Sequence, residues 1–230
     1  MTQPTLLFVH GWGLGAGVWR PVIQQLGKPP HMSLDFGFYG RKKLEIPNDR
    51  PLIAVGHSLG FLWLLQHLPE AIWANQVQGL VAINGFARFS KAEDFPNGVD
   101  RCVIRGMKNG LQRDPVKVLN DFRVFGGGPG GDLIGEEAKQ RLDVMALGYG
   151  LGWLMEWDGR GALSQWQKPL LAIANSDDNI VTPDITKDSF SGIAKGKSSI
   201  EWLDEGGHLG LLSRPQNYGE LLGKFYRSFL

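Results

Sequence analysis

The chain is poor in several features that would mark particular protein classes. Cys102 is its only cysteine, so neither an internal disulfide nor a cysteine-based metal cluster can form within one chain. Charge of neither sign is in excess: 24 Lys and Arg stand against 23 Asp and Glu, a formal net of +1. Nothing global therefore calls for nucleic acid or an anionic membrane as a partner. No apolar run approaches the roughly 18 to 20 residues needed to span a bilayer. The opening MTQPTLLFVHGWG has no cationic start and only the apolar run LLFV, too little for the core of a signal peptide. The expectation is a cytoplasmic protein with no membrane or nucleic-acid partner.

The 230 residues, 43 % hydrophobic and 20 % charged, fit one soluble domain spanning 1–230. Short apolar runs recur along it: TLLFVH at 5–10, PLIAVG at 51–56, GLVAIN at 79–84, PLLAIA at 169–174 and SSIEWL at 198–203. Most are nearly continuous rather than alternating, as in strands covered on both faces. Helix-length segments lie between them, at 17–26, 61–72 and from Pro215 to the end. The alternation predicts an α/β fold with a mostly parallel central sheet flanked by helices. Residues 86–165 break the rhythm, with amphipathic pieces around 99–123 and 136–147 and a glycine cluster at 125–132. They read as a mostly helical lid insertion, the glycines forming a flexible turn.

Gly56-His57-Ser58-Leu59-Gly60 is a G-x-S-x-G placed after a strand and before a helix. With 32 glycines in the chain, the motif alone is weak; the strand-turn-helix context gives it weight. A serine exposed at such a turn sits on a strained backbone that only small neighbours permit. To act as a nucleophile it needs a base titrating near neutrality, itself oriented by a third group. His208, in the glycine-rich turn DEGGHLG after the last predicted strand, is the candidate base. Asp177 and Asp178, just past PLLAIA, are the candidate carboxylates. The order serine, aspartate, histidine is the one this motif predicts. Two backbone N–H groups should receive a developing oxyanion: that of Leu59, directly after the serine, and that of Trp12, in the loop after the first strand. His10 and His57 read as structural, hydrogen-bonding their own surroundings. His31 and His67 carry no signal.

These residues resemble the α/β-hydrolase superfamily. LLFVHGWGLGAGVW, VGHSLG, DNIV and GGHLGLLSRP stand where that family keeps its oxyanion loop, nucleophile, acid and base. A narrower resemblance, carried by HGWGLGAGVWRPVIQQL and FARFSKAEDFPNGV, is to the pimeloyl-acyl-carrier-protein methyl ester esterases of biotin synthesis. The family pattern selects Asp178 over Asp177 and implies a serine carboxylesterase that needs no cofactor or metal. One departure is visible. DFGFYGRKKLEIPNDRPLIAVG leaves little room for the helix that usually precedes the nucleophile strand.

The insertion carries a basic segment. Arg101, Arg105 and Lys108 fall on one helical face, with Arg113, Lys117 and Arg123 beyond. Such a face would steer an acidic acyl carrier protein toward the site, with a salt dependence. As a solvated charged face it would need no partner. Trp12, Phe86, Phe89 and Trp153 are candidate walls for an acyl chain. Rival readings are a thioesterase, a lactonase or a carbon–carbon bond hydrolase on a small substrate, and a ligand receptor of the same fold without turnover.

Overall fold

A computed structural model describes residues 3–128, 135–193 and 198–230. In chain order the elements are β1 (Thr5–Val9), α1 (Arg20–Gln25), β2 (His31–Ser33), β3 (Leu52–His57), α2 (Leu59–His67), β4 (Val77–Ile83), α3 (Arg101–Leu111) and α4 (Pro115–Phe125). They continue with α5 (Glu136–Gln140), α6 (Val144–Glu156), α7 (Arg160–Ser164), β5 (Leu170–Asn175), α8 (Pro183–Phe190), β6 (Ser198–Leu203), α9 (Gly210–Ser213) and α10 (Pro215–Arg227). The strands form one sheet in the order β2-β1-β3-β4-β5-β6, every pair parallel.

Alternation along the buried strands sorts their side chains into two cores. Leu6, Phe8, Ile53, Val55, Val81 and Ile173 pack with Trp19, Val22, Tyr218 and Leu222, from the segment around α1 and from α10. Leu7, Val9, Ala54, Leu80, Ala82 and Leu170 face the other way, onto α2, α8 and the helical segment α3–α7. The sheet order reverses direction between β1 and β3, and in open parallel sheets a crevice forms outside the carboxyl ends of the strands at that point. The loop holding Trp12 and the turn holding Ser58 both leave the sheet there.

Three local expectations differ from the structure. The edge strand β2 has only three residues, and its only strand neighbour is β1, so no apolar run announces it. The helix expected to reach Ile72 ends at His67; residues 72–76 form a short 3-10 turn instead, since Pro69 cannot continue the helical ladder. The basic segment is two helices rather than one piece, because Asp114 caps α4 through a bond from the Lys117 N–H and Pro115 opens it.

Residues 34–51 contain no helix, as the short spacing implied. An extended loop takes the helix's place, pinned by an antiparallel bridge between Asp35 and Lys43. Leu44 and Ile46 cover the core beside it. The part of the glycine cluster from 129 to 132 lies outside the described residues; Gly126 and Gly127 form a turn closing α4.

The foot of the helical segment is tied down by ions. Arg88 and Arg160 both reach Asp158, at 2.5 and 2.7 Å, and Arg160 also reaches Asp94 at 2.8 Å. Partial burial alone would raise the Asp158 carboxyl; the hydrogen bonds from Arg160 and Arg88 outweigh it and hold it at about 2. Among the described residues no helix is long and apolar enough to cross a membrane.

Helix α2 lies so close to the sheet that a Cβ at position 60 would sit 2.1 Å from the Val9 carbonyl oxygen. Backbone cannot yield as a flexible side chain can. Gly60→Ala should therefore destabilise the protein by roughly 3 kcal/mol, a fall in Tm of about 10 °C for a chain of this size, measurable by thermal denaturation.

Candidate active site

The serine turn is built from this close packing. Ser58 joins β3 to α2 with φ 52° and ψ −122°, a left-handed backbone that a residue with a side chain rarely adopts. Its amide donates to the Ile83 carbonyl at the end of β4, 3.0 Å away, and its carbonyl accepts the Phe61 N–H at 3.0 Å. Gly56 makes the turn possible from the other side, because a Cβ there would stand 2.4 Å from the Phe61 backbone. The result points the Ser58 hydroxyl off the carboxyl edge of the sheet.

Two other loops meet it. His208 Nε2 lies 2.9 Å from Ser58 Oγ, and His208 Nδ1 lies 2.8 Å from Asp178 Oδ2. A carboxylate can only accept, so Nδ1 carries the imidazole proton and Nε2 is left to accept from the serine hydroxyl. The other oxygen of Asp178 accepts the N–H groups of Ile180 and Val181 at 2.8 and 2.9 Å, which fixes the carboxylate from behind. All three side chains are buried. Asp177 is not part of this chain of bonds: its carboxylate accepts the N–H groups of Gly206 and Gly207 at 3.0 and 2.8 Å.

Trp12 shares the cavity at Ser58 and Leu59 directly follows the serine, and the backbone amide of neither donates a hydrogen bond among the described residues. Leu59 is the first residue of α2, where an N–H has no partner within the helix. The Trp12 indole N–H donates to the Leu147 carbonyl of α6 at 2.9 Å, tying its loop to the helical segment. His10 is held within its loop. Its Nδ1 bonds the Gly11 carbonyl at 2.8 Å and its Nε2 accepts the Phe36 N–H at 3.1 Å. His57 turns beneath the site, its Nε2 bonded to the His208 carbonyl at 2.9 Å. Full burial, reinforced by the neighbouring His208, holds the His57 imidazole far below the usual histidine range, so it is neutral.

Ser58 opens into an apolar cavity of about 100 Å³ lined by Trp12, Phe89, Ile104, Met107, Phe122 and Leu151, among others. Two of the four aromatic residues expected in its walls are elsewhere. Phe86 is fully buried behind Phe89, its ring 4.9 Å away. Trp153 stacks on Trp157 at 4.8 Å and lines a separate groove of about 220 Å³ on another side of α6. Helical phase explains the second: Leu151 and Leu154 of α6 face the serine cavity, and Trp153 between them cannot.

Phe122 was not singled out from the sequence, yet it is the residue poised over the site. Its ring stands edge-on to Trp12 at 4.9 Å and to His208 at 6.1 Å. Its spacing from Leu119 on an amphipathic helix was the available signal, but a core contact would give the same spacing.

Of the basic residues, Arg105, Lys108 and Arg113 are exposed and make no ion pair among the described residues. Arg101 donates to the Met155 carbonyl at 3.0 Å. Lys117 pairs with Asp121, and Arg123 turns inward to the Gly13 carbonyl and the Tyr39 hydroxyl. Among the described residues no group of three or more His, Cys, Asp or Glu side chains is arranged to hold a metal ion.

No family model matches the chain. It is 29 % identical over 250 aligned positions to a pimeloyl-[acyl-carrier protein] methyl ester esterase of Stenotrophomonas maltophilia, covering 96 % of this chain and 92 % of that one. The same identity holds over 252 positions against the protein of that name in Xanthomonas campestris pv. campestris, covering 96 % and 94 %. Among solved structures, an esterase from Exiguobacterium antarcticum superimposes with a TM-score of 0.82 at 14 % identity, covering 97 % of this chain and 92 % of the other. A bromoperoxidase from Bacillus anthracis gives 0.82 at 18 % identity, covering 98 % and 92 %. The chain has the α/β-hydrolase fold. Neighbours that include both an esterase and a bromoperoxidase leave the reaction to be argued from the site, since this fold carries more than one chemistry.

In this hydrolase fold the neutral His57 has a measurable consequence. Its folded-state pKa lies below the unfolded value, so below about pH 6.5 the unfolded chain binds a proton that the folded chain refuses. Stability should fall with decreasing pH in that window, on the order of 1 kcal/mol per pH unit from this group. His57→Gln should remove that part of the slope in urea unfolding measured between pH 7 and pH 5.

Proposed function

We propose that the protein is a serine carboxylesterase. The observation that carries the reading is the hydrogen-bonded series Asp178–His208–Ser58, ending at an apolar cavity, with the Trp12 and Leu59 amides donating to nothing else among the described residues. In the proposed reaction Ser58 Oγ attacks the ester carbonyl carbon while His208 Nε2 takes its proton. The N–H groups of Trp12 and Leu59 receive the oxyanion. His208 then gives its proton to the departing alcohol, leaving an acyl-serine. Water attacks that ester, its proton passing to His208. Collapse releases the carboxylic acid and returns the proton to Ser58. Asp178 keeps the imidazole in the required tautomer throughout.

The substrate we infer is an ester of an acyl chain presented on an acyl carrier protein, the kind of substrate that the relatives' names give for them. The methyl ester of pimeloyl-acyl-carrier protein is the specific candidate. Two features of this chain support it. The cavity beside Ser58 is almost wholly apolar in lining, which suits methylene groups. Arg105 and Lys108 on α3, with Arg113 in the turn after it, lie exposed and without ion pairs among the described residues, which suits an acidic partner. In this reading α3–α7 serve as a lid.

Ser58→Ala should abolish turnover and fluorophosphonate labelling, and Asp178→Asn should lower kcat about 10⁴-fold by favouring the wrong tautomer. A folded wild-type protein that takes no label but binds ligand would be a receptor instead. For the partner, kcat/KM for carrier-borne methyl pimelate should drop as salt rises from 50 to 500 mM, and drop likewise in Arg105→Glu/Lys108→Glu at low salt. Hydrolysis of p-nitrophenyl acetate should change in neither case. A preference for the small ester that ignores salt would remove the carrier and leave the esterase.

A further inference from the structure

The loop that carries His208 is short of backbone partners and is held by side chains instead. Gly206 and Gly207 precede the histidine with φ of +141° and +58°, so the chain there follows neither a strand nor a helix. Asn175 and Ser176, at the end of β5, donate to the Glu205 and Asp204 carbonyls at its start, both at 3.0 Å, and three further residues at or just beyond the ends of successive strands reach its 206–208 stretch. Asp177, beyond β5, accepts the N–H groups of Gly206 and Gly207. Asn84, beyond β4, donates from its side-chain amide to the carbonyls of Gly207 and His208 at 2.9 and 3.2 Å. His57, the last residue of β3, holds the same His208 carbonyl.

Asn84 is itself held in an uncommon backbone, φ 43°, and its buried side-chain oxygen has no partner among the described residues. A residue that tolerates both costs in a buried site is being kept there by something other than local preference. Its amide hydrogens go to the loop of the base. Asp177 is exposed, yet its two bonds are directed at adjacent amides rather than at water.

We infer that Asp177 and Asn84 are positioning residues: one holding its N–H groups and the other its carbonyls, they fix the backbone of the 206–208 loop and so set where the His208 imidazole meets Ser58. This gives the Asp177-Asp178 pair two separate tasks. Asp178 touches the imidazole, and Asp177 holds the chain that bears it. The inference rests on the esterase reading for its consequence, because a misplaced base matters only if the base transfers a proton.

The test uses the full chain with Asp177→Asn and Asn84→Ala, and Asp184→Asn on α8 as a charge control. Three quantities are measured: the rate of Ser58 labelling by a fluorophosphonate, kcat and KM for p-nitrophenyl acetate, and Tm. Displacement of a reacting group by about 1 Å costs up to about 100-fold, so each variant should label and turn over roughly 10- to 100-fold more slowly. KM should stay within about twofold, since neither residue lines the cavity. Asp184→Asn should match the wild type. Folded variants that label at the wild-type rate, or whose loss appears only in KM or Tm, would overturn the inference. Should Asn84→Ala not fold, the exposed Asp177→Asn decides alone. Wild-type protein that takes no label would count against the esterase reading instead. The positioning claim would then be read from the downfield Nδ1 proton signal of His208 by NMR. That signal should shift or broaden in Asp177→Asn; an unchanged signal rejects the claim.

Discussion

The arrangement depends on how closely the first turn of α2 can approach the end of β1. Val9 presents its carbonyl oxygen where a Cβ at position 60 would need to be, so the helix seats itself only with glycine there. Once seated, the helix leaves the chain one residue in which to turn from strand to helix, and that residue takes a left-handed backbone. Strain of this kind costs on the order of 1–3 kcal/mol and persists only where surroundings over-determine it. Here the surroundings are explicit: the Ser58 amide is bound by β4 and its carbonyl by the following helical turn.

From that fixed point the rest of the site is a problem of bringing loops to the serine while pairing most of the buried polar groups, His57 Nδ1 and the Asn84 side-chain oxygen having no partner among the described residues. The loop after β1 solves it with His10, which satisfies both ring nitrogens in its own neighbourhood and leaves the Trp12 amide uncommitted. The loop after β5 turns Asp178 inward and ties its second oxygen to two amides. The loop after β6 is bound from the ends of β3, β4 and β5. Neutral His57 is required for this packing. An imidazolium beneath His208 would be a fully buried charge, its ring centroid 4.9 Å from that of His208, and burial disfavours the charged form.

How much of this was legible in the sequence follows from what each signal encodes. Four of the six strands announce themselves as apolar runs because both faces of the sheet are covered there, and β6 remains legible from SSIEWL although none of its residues is buried. Ser58 and His208 follow from the motif and chain order, whereas the choice of Asp178 over Asp177 comes from the family resemblance. The edge strand β2 could not be read, since three residues with one strand partner need no apolar run. The walls of the cavity were half legible. Trp12 and Phe89 face it, whereas Phe86 and Trp153 do not, because facing depends on helix phase and on which ring covers another. Asn84 carries no functional signal in the sequence, and Asp177 stands there only as a rival for the acid, for a related reason. Their bonds go to backbone far along the chain, and no residue type at the receiving end records them.

The size of the cavity bears on how an acyl chain would enter. About 100 Å³ is well below the several hundred cubic ångströms typical of ligand sites. The larger groove outside α3 and α4, about 340 Å³, shares Met107, Phe122 and Phe125 with it, so these three side chains form the wall between the two. They can move without unmaking the fold: Phe125 is exposed, Phe122 is half-buried, and methionine repacks readily. A chain of methylene groups that displaced them would exchange one apolar contact for another, at little net cost in buried area. That is why the wall between the helices, rather than the strained and tightly bonded serine turn, is where the proposed acyl chain would find room.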